Sequence, residues 1–331
     1  MALETISVLG GGAWGTALAQ TQALGARPVT LWARNAAAVD EINSHHTNAG
    51  YLPGIALDPQ LSATTDLAAA ARAEILLLVA PAQQARVVAK QLRPLLSSNQ
   101  VVVICAKGIE QASGELLGRV LGAELPGIPL AVLSGPGFAS DVARGLPAAL
   151  TLACRDEALG KALAGRLSHP QFRLYWTSDT TGVELGGSVK NVLGIAAGIL
   201  DGKKLGGSAH AALVTRGFAE LRRLGEALGA RPETLMGLSG LGDLILTCGS
   251  PLSRNMSLGR ALGEGLTLAE ILGSRRAVTE GVYTAAAVKR LAAQHGVEMP
   301  ICAGVAAILE GTLSVDIAIQ ALLQRPLKAE D

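Results

Sequence analysis

The sequence predicts an open, doubly wound and mostly parallel α/β sheet over residues 1–179, followed by an all-α domain over residues 180–331. Three observations carry this reading. Short apolar runs of strand length alternate with helical stretches through the first half of the chain. A G-x-G-x-x-G run joins the first apolar run to the first helix. From about Asp179 the strands stop, and helix-period segments continue to the end.

The first strand is Ile6–Leu9, and the glycines after it stand at 10, 12 and 15. Each has its own task in a Rossmann-like turn. Gly10 permits the tight exit from the strand, Gly12 lets the backbone approach a pyrophosphate, and Gly15 lets the helix lie close on the sheet. The N–H groups that open the helix then face the anion. The second strand, residues 28–33, runs into Arg34, 22 residues after Gly12. An NAD-specific fold places an acid there to hold the ribose 2′-hydroxyl, whereas a guanidinium grips a 2′-phosphate. NADP is therefore expected to be accepted, alongside NAD.

Continuous apolar strands follow at 75–79 and 101–105, as suits parallel strands covered on both faces. A helix is expected over 83–96, and further strands over 130–133, 148–154 and 172–176. Ligands bind beyond the carboxyl ends of such strands. One of those ends carries Lys107 beside Gly108; the next reads Ser134-Gly135-Pro136-Gly137-Phe138-Ala139.

In the helical half, the helix over 181–200 contains the run GGSVKNV, and Gly186, Gly187 and Gly194 share the face of Lys190. A face without bulk either packs tightly on a neighbour or bares its one lysine to a ligand. A lysine buried there without a partner is costly, which favours the ligand-facing reading. Ser208 is expected to cap a helix reaching about Leu228, with Val214, Phe218, Leu221, Leu224 and Leu228 as its buried stripe. Asp243, beside a glycine turn, reads as a first-turn acid or as the counter-charge of a lysine. Ser253-Arg254-Asn255 opens another helix, a good seat for a phosphate or simply a capped end. A helix is expected over 282–295, just after Ala277-Val278-Thr279-Glu280-Gly281, and the helices over 301–310 and 315–323 read as domain packing.

Composition narrows the function classes. Net charge is +1, without the basic excess that nucleic-acid or membrane-surface binding needs. Cys105, Cys154, Cys248 and Cys302 lie at least 49 residues apart, so they form no metal-ligand run and suit a reducing compartment. No uncharged apolar run reaches the roughly 18 residues of a membrane span. The first strand begins at about Thr5, leaving no room for a signal peptide. A cytoplasmic protein with no metal is expected.

Together the runs GGGAWGTALA, LWAR, KGIE, SGPGFA, GGSVKNV, GLGDLILTC, SRN, VTEG and GVEMPI resemble the bacterial NAD(P)-dependent glycerol-3-phosphate dehydrogenases, over about residues 6–323. The resemblance implies reversible reduction of dihydroxyacetone phosphate to sn-glycerol 3-phosphate, which supplies glycerophospholipid synthesis. It implies Lys190 as general acid–base and Lys107 at both substrate and cofactor. Gly135, Gly137, Asp243, Ser253, Arg254 and Asn255 would hold substrate. Ala13, Trp14, Arg34, Ala139, Arg254, Val278 and Glu280 would line NAD or NADP, with Gly10, Gly12 and Gly15. A homodimer is also implied. Gly137 stands where the family usually has Ser or Thr, Ser208 where Asn is usual, and His210 where Lys or Arg is usual. The rival readings are another two-domain hydroxyacid dehydrogenase and a non-catalytic NAD(P)H-binding sensor.

Overall fold

The computed structural model describes residues 3–273 and 279–326. Its sheet holds β1 (Ile6–Leu9), β2 (Val29–Trp32), β3 (Leu61–Thr64), β4 (Ile75–Leu78), β5 (Val101–Ile104), β6 (Leu130–Ser134), β7 (Ala148–Ala153) and β8 (Phe172–Thr177). The helices among these strands are α1 (Ala13–Leu24), α2 (Ala36–His45), α3 (Leu67–Ala70), α4 (Ala85–Leu92), α5 (Leu117–Glu124), α6 (Ala139–Ala143) and α7 (Glu157–Leu167). Beyond β8 come α8 (Thr180–Gly202), α9 (Gly206–Ala227), α10 (Pro232–Met236), α11 (Asp243–Gly249) and α12 (Arg254–Gly263). The last four are α13 (Leu268–Gly273), α14 (Glu280–Gln294), α15 (Pro300–Leu309) and α16 (Val315–Leu323).

The strand order is β3-β2-β1-β4-β5-β6-β7-β8, parallel throughout except where β7 runs against β6. The chain leaves β1 toward β2 on one side and returns to β4 on the other. The carboxyl ends of β1 and β4 therefore flank a crevice at the reversal of strand order, where open α/β sheets bind their ligands. β4 and β5 are wholly buried, which explains their unbroken apolar sequences.

Three details differ from the sequence reading. β3 was not expected: its four residues, LSAT, alternate buried and accessible at the sheet edge and lack a continuous apolar signal. The helix expected over 83–96 is a 3-10 turn at Ala82–Gln84, then α4, then a second 3-10 turn at Arg93–Leu95. Pro94 has no N–H to continue the α-helical ladder. Ser208 does not cap α9, because that helix already begins at Gly206 and takes Ser208 and His210 into its first turns. Leu221 and Leu224 of its predicted stripe are fully buried, and Val214, Phe218 and Leu228 pack partly buried beside them.

α8 is the axis of the helical half. Its residues 182–199 are all buried, as expected of a helix apolar on every side. By length and composition α8 could cross a membrane, but 89% of its most apolar window is covered by the protein itself. Its start is capped by Asp179, whose carboxylate accepts the Gly182 N–H at 2.8 Å. Glycines bring α8 and α12 into backbone contact. A Cβ at Gly198 would overlap the Met256 carbonyl oxygen, and one at Gly259 would overlap that of Ile195. Gly198→Ala is therefore expected to destabilise the protein by about 1–3 kcal/mol through overpacking against rigid backbone. Urea unfolding measures this, and an unchanged midpoint would remove the close crossing as an element of stability.

Candidate active site

The glycine turn after β1 builds the first part of the site. Gly10 has φ +136°, and a Cβ there would press on Val79 at 3.0 Å. A Cβ at Gly15 would overlap the Gly10 carbonyl, so α1 lies against the turn. At Gly12 an added Cβ meets nothing within 4 Å. No side chain caps the start of α1, so its first N–H groups are left to an anion. These features fit a dinucleotide pyrophosphate. Asn48 steadies the turn from behind, donating to the Gly11 carbonyl at 3.2 Å and to Thr16 Oγ1 at 2.8 Å. Arg34 stands exposed two residues past β2. Its neighbour Asn35 caps α2, accepting the Ala37 N–H at 3.0 Å.

The second part is a buried charge cluster. Lys107, past the end of β5, donates to Asp243 Oδ2 at 2.6 Å and to the Gly135 carbonyl at 2.9 Å. Lys190, in mid-α8, donates to Asp243 Oδ1 at 2.8 Å and to Thr247 Oγ1 at 2.8 Å. One carboxylate, only 1% exposed, thus bridges two ammonium groups. Burial pushes the Lys190 ammonium down to about 8; Asp243 opposes that fall and Lys107 adds to it. Burial works to raise the Asp243 carboxyl, but Lys107 and Lys190 outweigh it and hold the group below the usual carboxylate range. With two ammonium groups on one carboxylate, the cluster carries a net positive charge.

The glycine face of α8 has a double use. Cβ atoms at Gly186 and Gly194 would press on Ser239 and Thr247, and one at Gly187 would overlap Ser134 Oγ. The glycines are packed on neighbouring elements, and that packing is what brings Lys190 to α11. The partner that a buried lysine requires is Asp243, in the first turn of α11 directly after a π-turn at Leu238–Gly242.

Aromatic and amide groups join the two parts. The Lys107 Nζ lies 5.7 Å from the centroid of the Trp14 ring. A Cβ at Gly137 would touch that ring at 3.4 Å. Trp14 Nε1 is buried without a partner among the described residues. Ala139 opens α6, beside α1 and its core. Asn255 donates to Asn191 Oδ1 at 2.9 Å and accepts the Gly281 N–H at 3.0 Å, tying the start of α14 to α8. Ser253 caps α12, accepting the Met256 N–H at 3.2 Å, so Arg254 stands in its first turn. Glu280, in the first turn of α14, accepts the Ala82 N–H at 3.2 Å, and its carboxyl is raised by burial against the pull of Arg254.

Lys107, Gly135, Lys190 and Asp243 thus meet directly, with Trp14 and Gly137 beside them. Arg34 is not in this cluster: it stands exposed past β2, next to Ala33, whose side chain lies against Gly11 of the turn; Val278 lies outside the described residues. Sequence reasoning gave no role to Thr247 or Asn191. Thr247 stands four residues after Asp243, on the same helix face, which was the available signal. No group of His, Cys, Asp or Glu that could hold a metal occurs among the described residues, and the four cysteines are free and buried.

Known proteins match this chain along its length. The two halves of the NAD-dependent glycerol-3-phosphate dehydrogenase family, its N-terminus and C-terminus, match residues 5–160 and 179–320. A glycerol-3-phosphate dehydrogenase (NAD(P)+) of Parvibaculum lavamentivorans is 58% identical over 330 residues, covering 100% of this chain and 99% of its own. One from Caulobacter vibrioides is 56% identical over 330 residues, covering 100% of both. The crystal structure of glycerol-3-phosphate dehydrogenase from Coxiella burnetii superposes with a TM-score of 0.93 at 41% identity, over 97% of this chain and 99% of that one. With both halves matched in order and relatives more than half identical along the whole chain, the chain belongs to the NAD-dependent glycerol-3-phosphate dehydrogenase family.

Proposed function

We propose that the chain interconverts dihydroxyacetone phosphate and sn-glycerol 3-phosphate with NAD(P)H in the cytoplasm, its product supplying glycerophospholipid synthesis. The observation that carries this is the buried carboxylate bridging Lys107 and Lys190 at the carboxyl edge of the dinucleotide-binding sheet. The division of labour follows the fold, with residues 1–179 holding cofactor and residues 180–331 supplying the substrate chemistry. A homodimer is supported by the resemblance.

A bound nicotinamide would supply the hydride. Gly10, Gly12, Ala13, Gly15 and the start of α1 would hold its pyrophosphate, while Trp14, Ala139 and Glu280 would line the remainder. Lys190 gives its proton to the substrate C2 oxygen as negative charge grows there, and takes it back in the oxidising direction. Asp243 aims the ammonium and keeps it from swinging away. Thr247 fixes a second of its hydrogens. Lys107 and the Gly135–Gly137 turn close on the substrate, and Arg254 with the capped start of α12 seats the phosphate. Ser253 and Asn255 hold that seat in place; both already have partners within the protein.

The direct test is the initial rate of NADH and NADPH oxidation with dihydroxyacetone phosphate against a 2-keto acid panel. Turnover confined to the phosphorylated ketone is expected; preference for a keto acid would assign the chain to another hydroxyacid substrate. Binding of NAD(P)H without turnover would make it a sensor. The same assay reads Arg34. Arg34→Ala is expected to raise KM for NADPH about tenfold, roughly 1.4 kcal/mol, with KM for NADH little changed. Equal effects on the two cofactors would remove Arg34 from 2′-phosphate recognition.

A further inference from the structure

The turn that carries Lys107 is anchored largely to the start of α4. Gln83 donates to the Ile109 carbonyl at 2.9 Å and accepts the Gln111 N–H at 2.8 Å. Arg86 grips Glu110 with both arms of its fork, Nε to Oε1 at 2.8 Å and Nη2 to Oε2 at 2.7 Å. Its remaining arm donates to Glu124 Oε1 at 2.6 Å. Ser113 Oγ donates to Glu110 Oε2 at 2.6 Å, so both oxygens of that carboxylate are occupied. Glu110 is 6% exposed. Two features set this apart from a surface ion pair. The carboxylate is desolvated, so its cohesion depends on complete pairing. A bidentate fork also fixes direction as well as distance, which simple packing does not need.

Glu110 follows Lys107 by three residues, and Gly108 between them is pinned, since a Cβ there would press on Ala82 at 2.7 Å. A shift of Glu110 therefore moves the backbone of Lys107 relative to Gly135 and Asp243. We infer that Arg86 and Glu110 are positioning residues for the reaction, holding Lys107 on Asp243 and over the substrate. This rests on the substrate role proposed above for Lys107. It also has a consequence at Lys190, whose ammonium faces Asp243, Lys107 and Cys248. Withdrawal of Lys107 removes a neighbouring positive charge and raises the pH at which Lys190 deprotonates.

The test is a mutant cycle on the full-length enzyme. Glu110→Gln and Arg86→Lys are made alone and together with Lys107→Met, and the fold of each is checked by urea unfolding. Each single variant is expected to raise KM for dihydroxyacetone phosphate about five- to tenfold with kcat within about threefold, and to move the alkaline limb of kcat upward. In the Lys107→Met background neither is expected to change KM by more than about 1.5-fold, because the effect passes through Lys107. Full, multiplicative effects in that background, or unchanged KM in the folded single variants, overturn the inference. Lys107→Met with unchanged KM overturns instead the substrate role of Lys107. Arg86→Lys keeps the charge and loses only the fork, so it decides the matter where Glu110→Gln does not fold.

Discussion

Lys190→Ala is expected to lower kcat for dihydroxyacetone phosphate reduction by about a thousandfold, within the range of losing a positioned general acid. Cofactor affinity should change little, because the glycine turn proposed to bind it joins β1 to α1, away from α8. The protein should also remain folded. Removing this ammonium deletes a buried charge whose ionised form the surroundings disfavour, and Asp243 keeps Lys107 as its partner. Steady-state kinetics at saturating substrate, beside a cofactor titration by fluorescence, separates these effects. A variant that turns over at near-normal rate would place the proton donor elsewhere.

Asp243→Asn is expected to be damaging in two ways. The carboxylate is buried and is the shared partner of two ammonium groups, so neutralising it leaves both without a counter-charge. Breaking a buried pair of this kind costs about 3–5 kcal/mol of folding stability. The second effect is catalytic. Without the attraction of Asp243, and with Lys107 still adjacent, Lys190 loses its proton at lower pH than in the parent enzyme. The reducing reaction should then fall about a hundredfold near neutral pH and recover in part as the pH is lowered. Urea unfolding and a pH series on the same preparation read both outcomes. Unaltered stability would show that Asp243 is not the group that holds the cluster together.

Much of the fold was legible because its determinants are local. β4 and β5 announce themselves as unbroken apolar runs, and the glycine turn between Leu9 and Ala13 has one dominant structural use. β3 was illegible because four residues at a sheet edge, half of them accessible, carry no pattern distinguishable from a loop. The helix over 83–96 was read too long because Pro94 and the flanking 3-10 turns interrupt an otherwise helical pattern, and the start of α9 was misplaced because a serine is a sound cap signal only where the backbone actually begins its helix. At the site, single residues were legible and their relations were not. The glycines at 186, 187 and 194 pointed to a face without bulk. The cost of burying a lysine favoured ligand access over tight packing; the structure packs those glycines on neighbouring elements and uses that packing to position the lysine. The pairing of Lys107 with Asp243 spans 136 residues, and no periodicity encodes a contact of that range. Asn191 was visible beside Lys190, but its link through Asn255 to the start of α14 exists only in three dimensions.

The central claim is that the Lys190 ammonium, brought down to about 8 by burial, delivers the proton. The most direct measurement is the pH dependence of kcat for dihydroxyacetone phosphate reduction in the parent enzyme and in Lys190→Ala. The protonated form is the active one in this direction, so the parent rate should be flat at lower pH and fall about tenfold per unit well above pH 8. The residual rate of Lys190→Ala should lack that limb. A parent profile that stays level to pH 10, or the same limb in the variant, would contradict the account.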